Sequence, residues 1–257
     1  MVYIIYYYNE KRDKVEFKTI TETEYLDIKQ MMSDVQLMMS EIDYYLMLKD
    51  NAKELAEEIN KGKRDENIFN DLNRRLMNFL NSFYAWVEFY QNNYKDLFNT
   101  LKTKYYDSYF EYRLAYSLRK YTTHCSVCIS TIEFDVLKEE EHIYIKPELL
   151  VENIKYFNSI VKNDLAELVK SNTKIELSVF LSRFVLVLEK MQKEIWDTTI
   201  ITNTKIMKTI LLNTQPSQDV IMDTVIESED NSVRTKIGYI LMKANDKVLM
   251  VIQPAIK

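Results

Sequence analysis

The residues best suited to catalysis in this sequence are Arg119 and His124, in a segment rich in tyrosine. A histidine can take the proton from a ribose 2′-hydroxyl at neutral pH. An arginine can hold a phosphate through two parallel hydrogen bonds and stabilise the charge that builds on it in the transition state. The pair therefore suits RNA strand cleavage without a metal ion. The spacing alone leaves a second interpretation open, in which both are surface charges near a helix end.

The segment around this pair is basic, although the chain as a whole is acidic. Residues 101–124 contain five lysines and arginines against two carboxylates, whereas the formal net charge of the chain is -5. That balance argues against broad coating of nucleic acid but leaves room for a small basic cleft. On a regular helix Lys120 shares a face with His124, whereas Arg119 is rotated from His124 by about 140°. We expect the two to converge only if the helix ends near Thr122, or if a second copy of the chain supplies the partner.

The composition excludes several common kinds of active site. With 2 glycines and 3 prolines, the chain has no glycine-rich phosphate loop, dinucleotide fingerprint or Gly-x-Ser-x-Gly elbow. Cys125, Cys128, His124 and His142 are residue types that bind zinc, but their order is not that of a zinc finger. A redox Cys-x-x-Cys would need a thioredoxin-like frame. We interpret the cysteines as partly buried thiols and expect no metal and no cofactor.

The elements that must position the pair are mainly helices. The sequence predicts a mainly α protein, an antiparallel helical bundle with a short β-hairpin after the motif helix and small β elements at both termini. Predicted helices cover residues 21–59, 65–100, 105–123, 148–170 and 175–206, and predicted hairpins pair 1–8 with 15–20 and 127–136 with 142–145. The acidic triplet 139–141 is the predicted turn of the second hairpin.

Two segments of the predicted helices have more than one interpretation. Thr21 or Thr23 is predicted to cap the first helix, and an apolar 3-4 spacing follows (Tyr25, Ile28, Met32, Val35, Met39, Ile42, Leu46). We interpret this stripe as facing the core, with a coiled coil as the alternative. The aromatic residues 83–90 are interpreted as packing, with a base-stacking platform as the alternative.

After Pro216 the pattern predicts short strands at 220–226, 236–242 and 248–252, with Asn245-Asp246 as a tight turn. We therefore predict a helical domain over 1–215 and a small β-rich appendage over 216–257, whose strands could pair with the N-terminal hairpin. No signal peptide and no membrane span is apparent, so the expected location is the cytoplasm.

The run Tyr112-Arg113-Leu114-Ala115-Tyr116-Ser117-Leu118-Arg119-Lys120-Tyr121-x-x-His124 resembles the motif of the HEPN superfamily. The hallmark of these all-α proteins is an arginine, four to six residues and a histidine near a helix end. The resemblance covers about residues 65–196, and its specific part is the Arg119–His124 window. The residue after the arginine is commonly Asn, Asp or His in that family, whereas this chain has Lys120.

The resemblance implies a metal-independent RNA endonuclease that works as a homodimer and leaves 2′,3′-cyclic phosphate ends. Arg119 would hold the scissile phosphate and His124 would act as base or acid. Substrate-binding candidates are Lys120, Arg113, Tyr116 and Tyr121. Such proteins recur as toxins and in phage defence, so an antitoxin or another defence protein is an expected partner. The alternative function is a catalytically inactive dimeric scaffold that binds RNA or a partner protein, with the N-terminal stripe and the C-terminal strands as its surfaces.

Overall fold

The computed structural model describes residues 2–9, 11–61, 66–135, 140–152, 157–214, 224–230 and 232–252. The mainly α prediction is confirmed, and the elements in chain order are β1 (Val2–Tyr8), β2 (Lys14–Thr21), α1 (Glu22–Ile59), α2 (Ile68–Asn93), α3 (Lys95–Ser108), α4 (Phe110–His124), β3 (Ile129–Asp135), β4 (Glu140–Ile145), α5 (Pro147–Val151), α6 (Ser159–Lys170), β5 (Ile175–Glu176), α7 (Leu177–Thr214), β6 (Thr224–Ser228), β7 (Arg234–Lys236) and α8 (Gly238–Ile252). None of the helices in these ranges combines the length and hydropathy that a bilayer crossing requires.

The chain divides into two compact units. The first comprises residues 1–43 and 196–257, and the second comprises residues 44–195. The boundaries fall inside α1 and α7, which differs from the division at residues 215/216 that the sequence predicts.

The first unit contains an antiparallel sheet with the strand order β2-β1-β6-β7. The N-terminal hairpin is confirmed, and β1 also pairs with β6, from Tyr3 opposite Ser228 to Tyr7 opposite Thr224. The predicted strands at 236–242 and 248–252 are wrong over most of their length, because residues 238–252 form α8. Asn245 and Asp246 lie within this helix and make no turn. Short apolar runs do not distinguish a strand from a helix by pattern alone.

Helix α1 begins with the predicted cap at Thr21. The Glu24 carboxylate accepts hydrogen bonds from the Thr21 backbone amide at 2.8 Å and its hydroxyl at 3.0 Å, and the Glu24 amide donates to that hydroxyl oxygen at 3.3 Å. This reciprocal arrangement satisfies amides that a helix N-terminus leaves without partners. The apolar stripe faces the core as predicted, although Met38 and Tyr45 are its buried members where the spacing predicted Met39 and Leu46.

The second unit has an aromatic core built mainly by α2. The aromatic residues of α2 pack as predicted, and Phe83, Trp86 and Tyr90 are fully buried. The fully buried Gln192 of α7 joins two of them, because its carbonyl accepts from the Trp86 indole at 2.7 Å and its amide donates to the Tyr90 hydroxyl at 2.8 Å. Burial of such large side chains stabilises the unit by about 1.5–3 kcal/mol each, and the paired polar atoms avoid a desolvation cost.

The helices of this unit are more divided than predicted. The chain leaves helical geometry at Tyr94 (φ -137°, ψ 45°) and at Tyr109 (φ -125°, ψ 117°), so three helices occupy the region of two predicted ones. The predicted helix 148–170 is likewise represented by α5 and α6, with residues 153–156 outside the described ranges. These breaks place α3 beside both α2 and α4.

The predicted hairpin after the motif helix is confirmed. Strand β3 pairs antiparallel with β4, and β5 adds a short third strand. Glu140 and Glu141 belong to β4 itself, so the predicted turn at 139–141 is wrong for these two residues, and Glu139 lies outside the described residues. The buried Asn73 of α2 connects this sheet to the helices, since its amide donates to the Ile129 carbonyl at 2.9 Å and its oxygen accepts from the Ile129 amide at 3.0 Å.

Candidate functional site

The motif residues lie on α4, which packs with α2, α3 and α6. The helix begins after the extended Tyr109, and it continues to His124, where the amide of the following Cys125 still bonds to the Tyr121 carbonyl at 2.8 Å. Its core side is formed by apolar and aromatic side chains at helical spacing (Tyr112, Leu114, Ala115, Leu118, Tyr121). The other positions carry the charged residues of the motif.

Arg113 lies inside the protein, with 9 % of its surface exposed. Its Nε and Nη2 atoms each lie 2.9 Å from Oδ2 of Asp164 on α6. Its Nη1 donates to the carbonyl oxygens of Tyr106 at 2.8 Å and Asp107 at 3.1 Å, in the last turn of α3. The predicted role in substrate binding does not match this placement, because the guanidinium is occupied in holding α3, α4 and α6 together.

Arg119 is held differently. Its guanidinium carbon lies 4.0 Å from the ring centroid of Tyr84 on α2, which is cation–π geometry. Its Nε is buried without a hydrogen-bond partner, and Arg119 forms no ion pair within the described ranges. The pKa of Tyr84 is raised, first by burial and then by the neighbouring Tyr116 and Glu88, while Arg119 acts in the opposite direction. The Tyr84 ring therefore remains neutral. It orients the Arg119 guanidinium but does not neutralise its positive charge.

Two lysines approach a second ring, that of Tyr116. The Nζ atoms of Lys102 on α3 and Lys120 on α4 lie 5.0 Å and 5.5 Å from the Tyr116 centroid. The Tyr84 and Tyr116 rings are neighbours, with centroids 6.1 Å apart. The structure thus brings Arg119, Lys120 and Tyr116 into one cluster together with Lys102 and Tyr84.

Internal pairing accounts for the other basic residues of this region. Lys104 donates to both carboxylate oxygens of Glu194 at 2.8 Å, and Arg113 pairs with Asp164. For Lys102, Arg119 and Lys120 no ion pair occurs in the described part of the chain, and all three lie over the two tyrosine rings. These three cations give the region around the Tyr84 and Tyr116 rings its positive charge.

A polar cavity of about 420 Å³ opens beside this cluster, between α3, α4 and the start of α6. Its lining consists mainly of side chains that donate or accept hydrogen bonds (Asn99, Lys102, Thr103, Tyr106, Asp107, Tyr116, Ser117, Lys120, Asn158). Sequence reasoning gave no role to Asn99, Thr103, Tyr106 and Asn158. No local motif could have identified them, because they come together only through the packing of three helices.

His124 is exposed and is the last residue of α4. Because the helix is regular as far as His124, an end near Thr122 does not bring Arg119 and His124 together. The two side chains leave the helix about 140° apart and about 7.5 Å apart along its axis. Tyr121, also predicted to bind substrate, is 4 % exposed, and its ring centroid lies 6.2 Å from that of Phe157. It belongs to the core.

The cysteines and the second histidine do not form a common centre. Cys125 is exposed, Cys128 is buried, and no disulfide joins them. His142 lies on β4, with its Nδ1 3.2 Å from the Glu176 carboxylate. Among the residues that the structure describes, no group of three or more His, Cys, Asp or Glu side chains is arranged to hold a metal ion.

A larger cavity of about 570 Å³ lies elsewhere in the second unit, between α1, α2 and α7. Its walls are largely apolar, with Leu48, Ala52, Phe79 and Leu181 among them, and no residue of α4 lines it. Size alone therefore does not identify the site, because three residues of the motif helix, Tyr116, Ser117 and Lys120, line the smaller, polar cavity and not the larger one.

The comparisons with known proteins found no matching family model, no similar curated protein and no similar solved structure.

Proposed function

We propose that this chain is a metal-independent RNA endonuclease of HEPN type that acts as a homodimer in the cytoplasm. The observation that carries the proposal is the contrast between the two arginines of α4. The donors of Arg113 are used inside the protein, whereas Arg119 is oriented by an aromatic ring without a carboxylate partner in the described chain. An oriented guanidinium that keeps its charge suits the binding of a phosphate.

The chemistry needs only the residues of the motif. The His124 imidazole takes the proton of a ribose 2′-hydroxyl, and the 2′-oxygen attacks the adjacent phosphorus. The bond from phosphorus to the 5′-oxygen breaks, and that oxygen receives a proton from a protonated His124. The products are a 2′,3′-cyclic phosphate and a 5′-hydroxyl. General acid–base catalysis typically contributes ~10²–10⁴-fold and one well-placed charge donor ~10²–10³-fold.

A second copy of the chain is part of the proposal, because of the geometry of α4. Arg119 and His124 of one chain point about 140° apart. In a two-fold dimer, Arg119 of one copy can face His124 of the other, and two such sets supply one imidazole as base and one as acid. Isologous contact of this kind is the commonest form of homodimer.

Lys120 replaces the Asn, Asp or His that commonly follows the arginine in the family the motif resembles. Its ammonium group shares the Tyr116 ring with Lys102. In this proposal Lys120 supplies a phosphate contact as a point charge, where Asn would supply a hydrogen bond.

The test is cleavage of RNA by the purified protein in EDTA. Wild type is expected to cleave, and His124→Ala and Arg119→Ala are expected to lose at least ~10²-fold of the rate. His142→Ala is the matched control, because it removes the only other histidine and is expected to retain cleavage. Absence of cleavage by a folded, dimeric wild-type protein at any concentration would refute the nuclease.

Toxicity and end chemistry give two further readouts. A toxin or defence enzyme should arrest growth on expression, and His124→Ala should relieve that arrest. The cut RNA should carry 2′,3′-cyclic phosphate ends, which offer no free 3′-hydroxyl for ligation until the phosphate is removed. Ends with a free 3′-hydroxyl would contradict the mechanism.

The second candidate is an inactive HEPN-like dimer that binds RNA without cutting it. The three cations on the tyrosine rings favour binding whether or not His124 acts. The surfaces expected of a protein scaffold fit less well, since the N-terminal stripe is largely buried and β6 is buried at every position. RNA retention that depends on Arg119 but not on His124, without cleavage, would identify this alternative.

A further inference from the structure

The polar cavity beside α4 combines two ammonium groups with neutral hydrogen-bonding side chains. Lys102 and Lys120 both line this cavity, and their Nζ atoms lie 5.0 Å and 5.5 Å from the centroid of the same ring, that of Tyr116. An anion bound in the cavity would therefore have two ammonium groups in the wall around it. No carboxylate in the described chain forms an ion pair with either lysine.

Lys102 is half-buried, and burial lowers the pKa of its ammonium group. A partly desolvated cation without a counter-ion is unfavourable unless something compensates for the lost hydration. Lys104, two residues along the same helix, forms an ion pair with Glu194 that compensates for its lost hydration. A bound anion would form the corresponding ion pair with Lys102.

The remaining lining limits the charge and the kind of ligand. Among the described residues that line the cavity Asp107 is the only carboxylate, so these residues contribute two lysines against one aspartate. A net charge of +1 matches a phosphodiester better than a triphosphate. The amides of Asn99 and Asn158 and the hydroxyls of Thr103 and Tyr106 offer both donors and acceptors. Such groups suit a sugar or a base.

The volume is also suitable. About 420 Å³ falls within the range of small-ligand sites, roughly 300–1,000 Å³. The cavity is walled by α3, α4 and the start of α6, and Arg113 fixes these three helices together through Asp164 and the α3 carbonyls. A site built on such helices is preorganised.

We propose that the cavity between α3 and α4 is a nucleotide subsite, in which Lys102 and Lys120 hold one phosphate while the polar wall holds the attached nucleoside. The source of that nucleotide is a unit of an RNA strand or a free mononucleotide. The subsite deepens the proposed nuclease and rests on it only in naming RNA as a source.

The experiment measures binding, so that it does not depend on cleavage. The probes are a 2′-O-methyl oligonucleotide, which lacks the attacking hydroxyl, adenosine 5′-monophosphate, and inorganic phosphate. The variant is Lys102→Met, which retains much of the side-chain length without the charge. Lys104→Met is the matched control on the same helix, because its partner Glu194 is not among the residues that line the cavity.

Lys102→Met is expected to weaken oligonucleotide binding about fivefold at 0.1 M salt, since a single strand releases ~0.7 counterion per neutralised phosphate. Its dependence on salt should fall correspondingly. Lys104→Met should bind like wild type. The Lys102→Met chain should melt no lower than wild type, since the change removes a desolvated charge, so a loss of binding cannot be ascribed to unfolding.

The probes distinguish the sources. If binding of adenosine 5′-monophosphate depends on Lys102, the cavity is a free mononucleotide site. If only the oligonucleotide binds, and its binding depends on Lys102, the cavity is a subsite for an RNA strand. Both results support the proposal. Unchanged binding of both nucleotide probes by Lys102→Met overturns it, as does binding of inorganic phosphate alone. Cleavage with wild-type affinity in Lys102→Met would refute the subsite and leave the nuclease intact. Binding that depends on Lys102 without any cleavage would refute the nuclease and leave the subsite intact.

Discussion

Replacing Arg113 by methionine should cost stability and not chemistry. The substitution removes four contacts of 2.8–3.1 Å, two to Asp164 and two to the last-turn carbonyls of α3. Breaking a buried ion pair typically costs about 3–5 kcal/mol. The Asp164 side chain is 26 % exposed, so water can partly replace the guanidinium, and we expect a loss near the lower end, about 3 kcal/mol. For a chain of this size that corresponds to a fall in Tm of about 6–12 °C.

The assay is urea unfolding followed by circular dichroism, with Asp164→Asn and the double variant completing a cycle. A coupling energy of about 1.5 kcal/mol or more is expected, because both partners act through the same contact. Arg183→Met is the control, since its contact with Glu111 is 3.7 Å long and Arg183 is largely exposed, and it should change stability by less than about 0.5 kcal/mol. If Arg113→Met unfolds like wild type but loses RNA affinity, Arg113 is a substrate contact and the structural role is wrong.

Three other perturbations test the packing. A thiol reagent at pH 8 should modify Cys125 but not Cys128 in the folded protein, because Cys128 is buried and burial raises its pKa to about 12. Modification of Cys128 at the same rate before and after unfolding would contradict this prediction. Gln192→Leu should cost about 2–4 kcal/mol in urea unfolding, since it leaves the indole and phenol that it joins without that partner, and a neutral change would contradict the bridge. Hydrogen bonds from the two serines beside it lower the pKa of Asp230 to about 2. The ionised Asp230 carboxylate should therefore stabilise the fold fully above about pH 4, and this stabilisation should disappear as the pH falls through 2. The measurement is the difference in free energy of unfolding between wild type and Asp230→Asn across that pH range. A difference that does not change with pH would contradict the prediction.

Features determined by neighbouring residues were predictable from the sequence. The cap at Thr21 depends on a residue three positions away, and the hairpins and the stripe of α1 follow from periodic patterns. The breaks at Tyr94 and Tyr109 were not predictable, because no glycine or proline marks them and the aromatic pattern continues through both. Helix α8 was misinterpreted because its apolar runs are short.

The candidate site was predictable in its residue types and not in their division of roles. Arg113 and Arg119 are six residues apart on one helix, and the sequence around them does not show which one pairs inside the protein. Asp164 and Tyr84, which decide the matter, lie far from both along the chain. The cavity with Lys102 is likewise a product of helix packing.

The pairing of β1 with β6 has a consequence for how the chain is made. About 220 residues separate the two strands, so β1 can pair with β2 early but must wait for its other neighbour. At about 5–20 residues per second, a ribosome needs roughly 10–45 s to deliver β6. During that interval the tyrosine-rich β1 presents an open edge, which is a template for association with other nascent chains. A polypeptide that terminates before β6 should therefore aggregate, even though residues 44–195 are already complete.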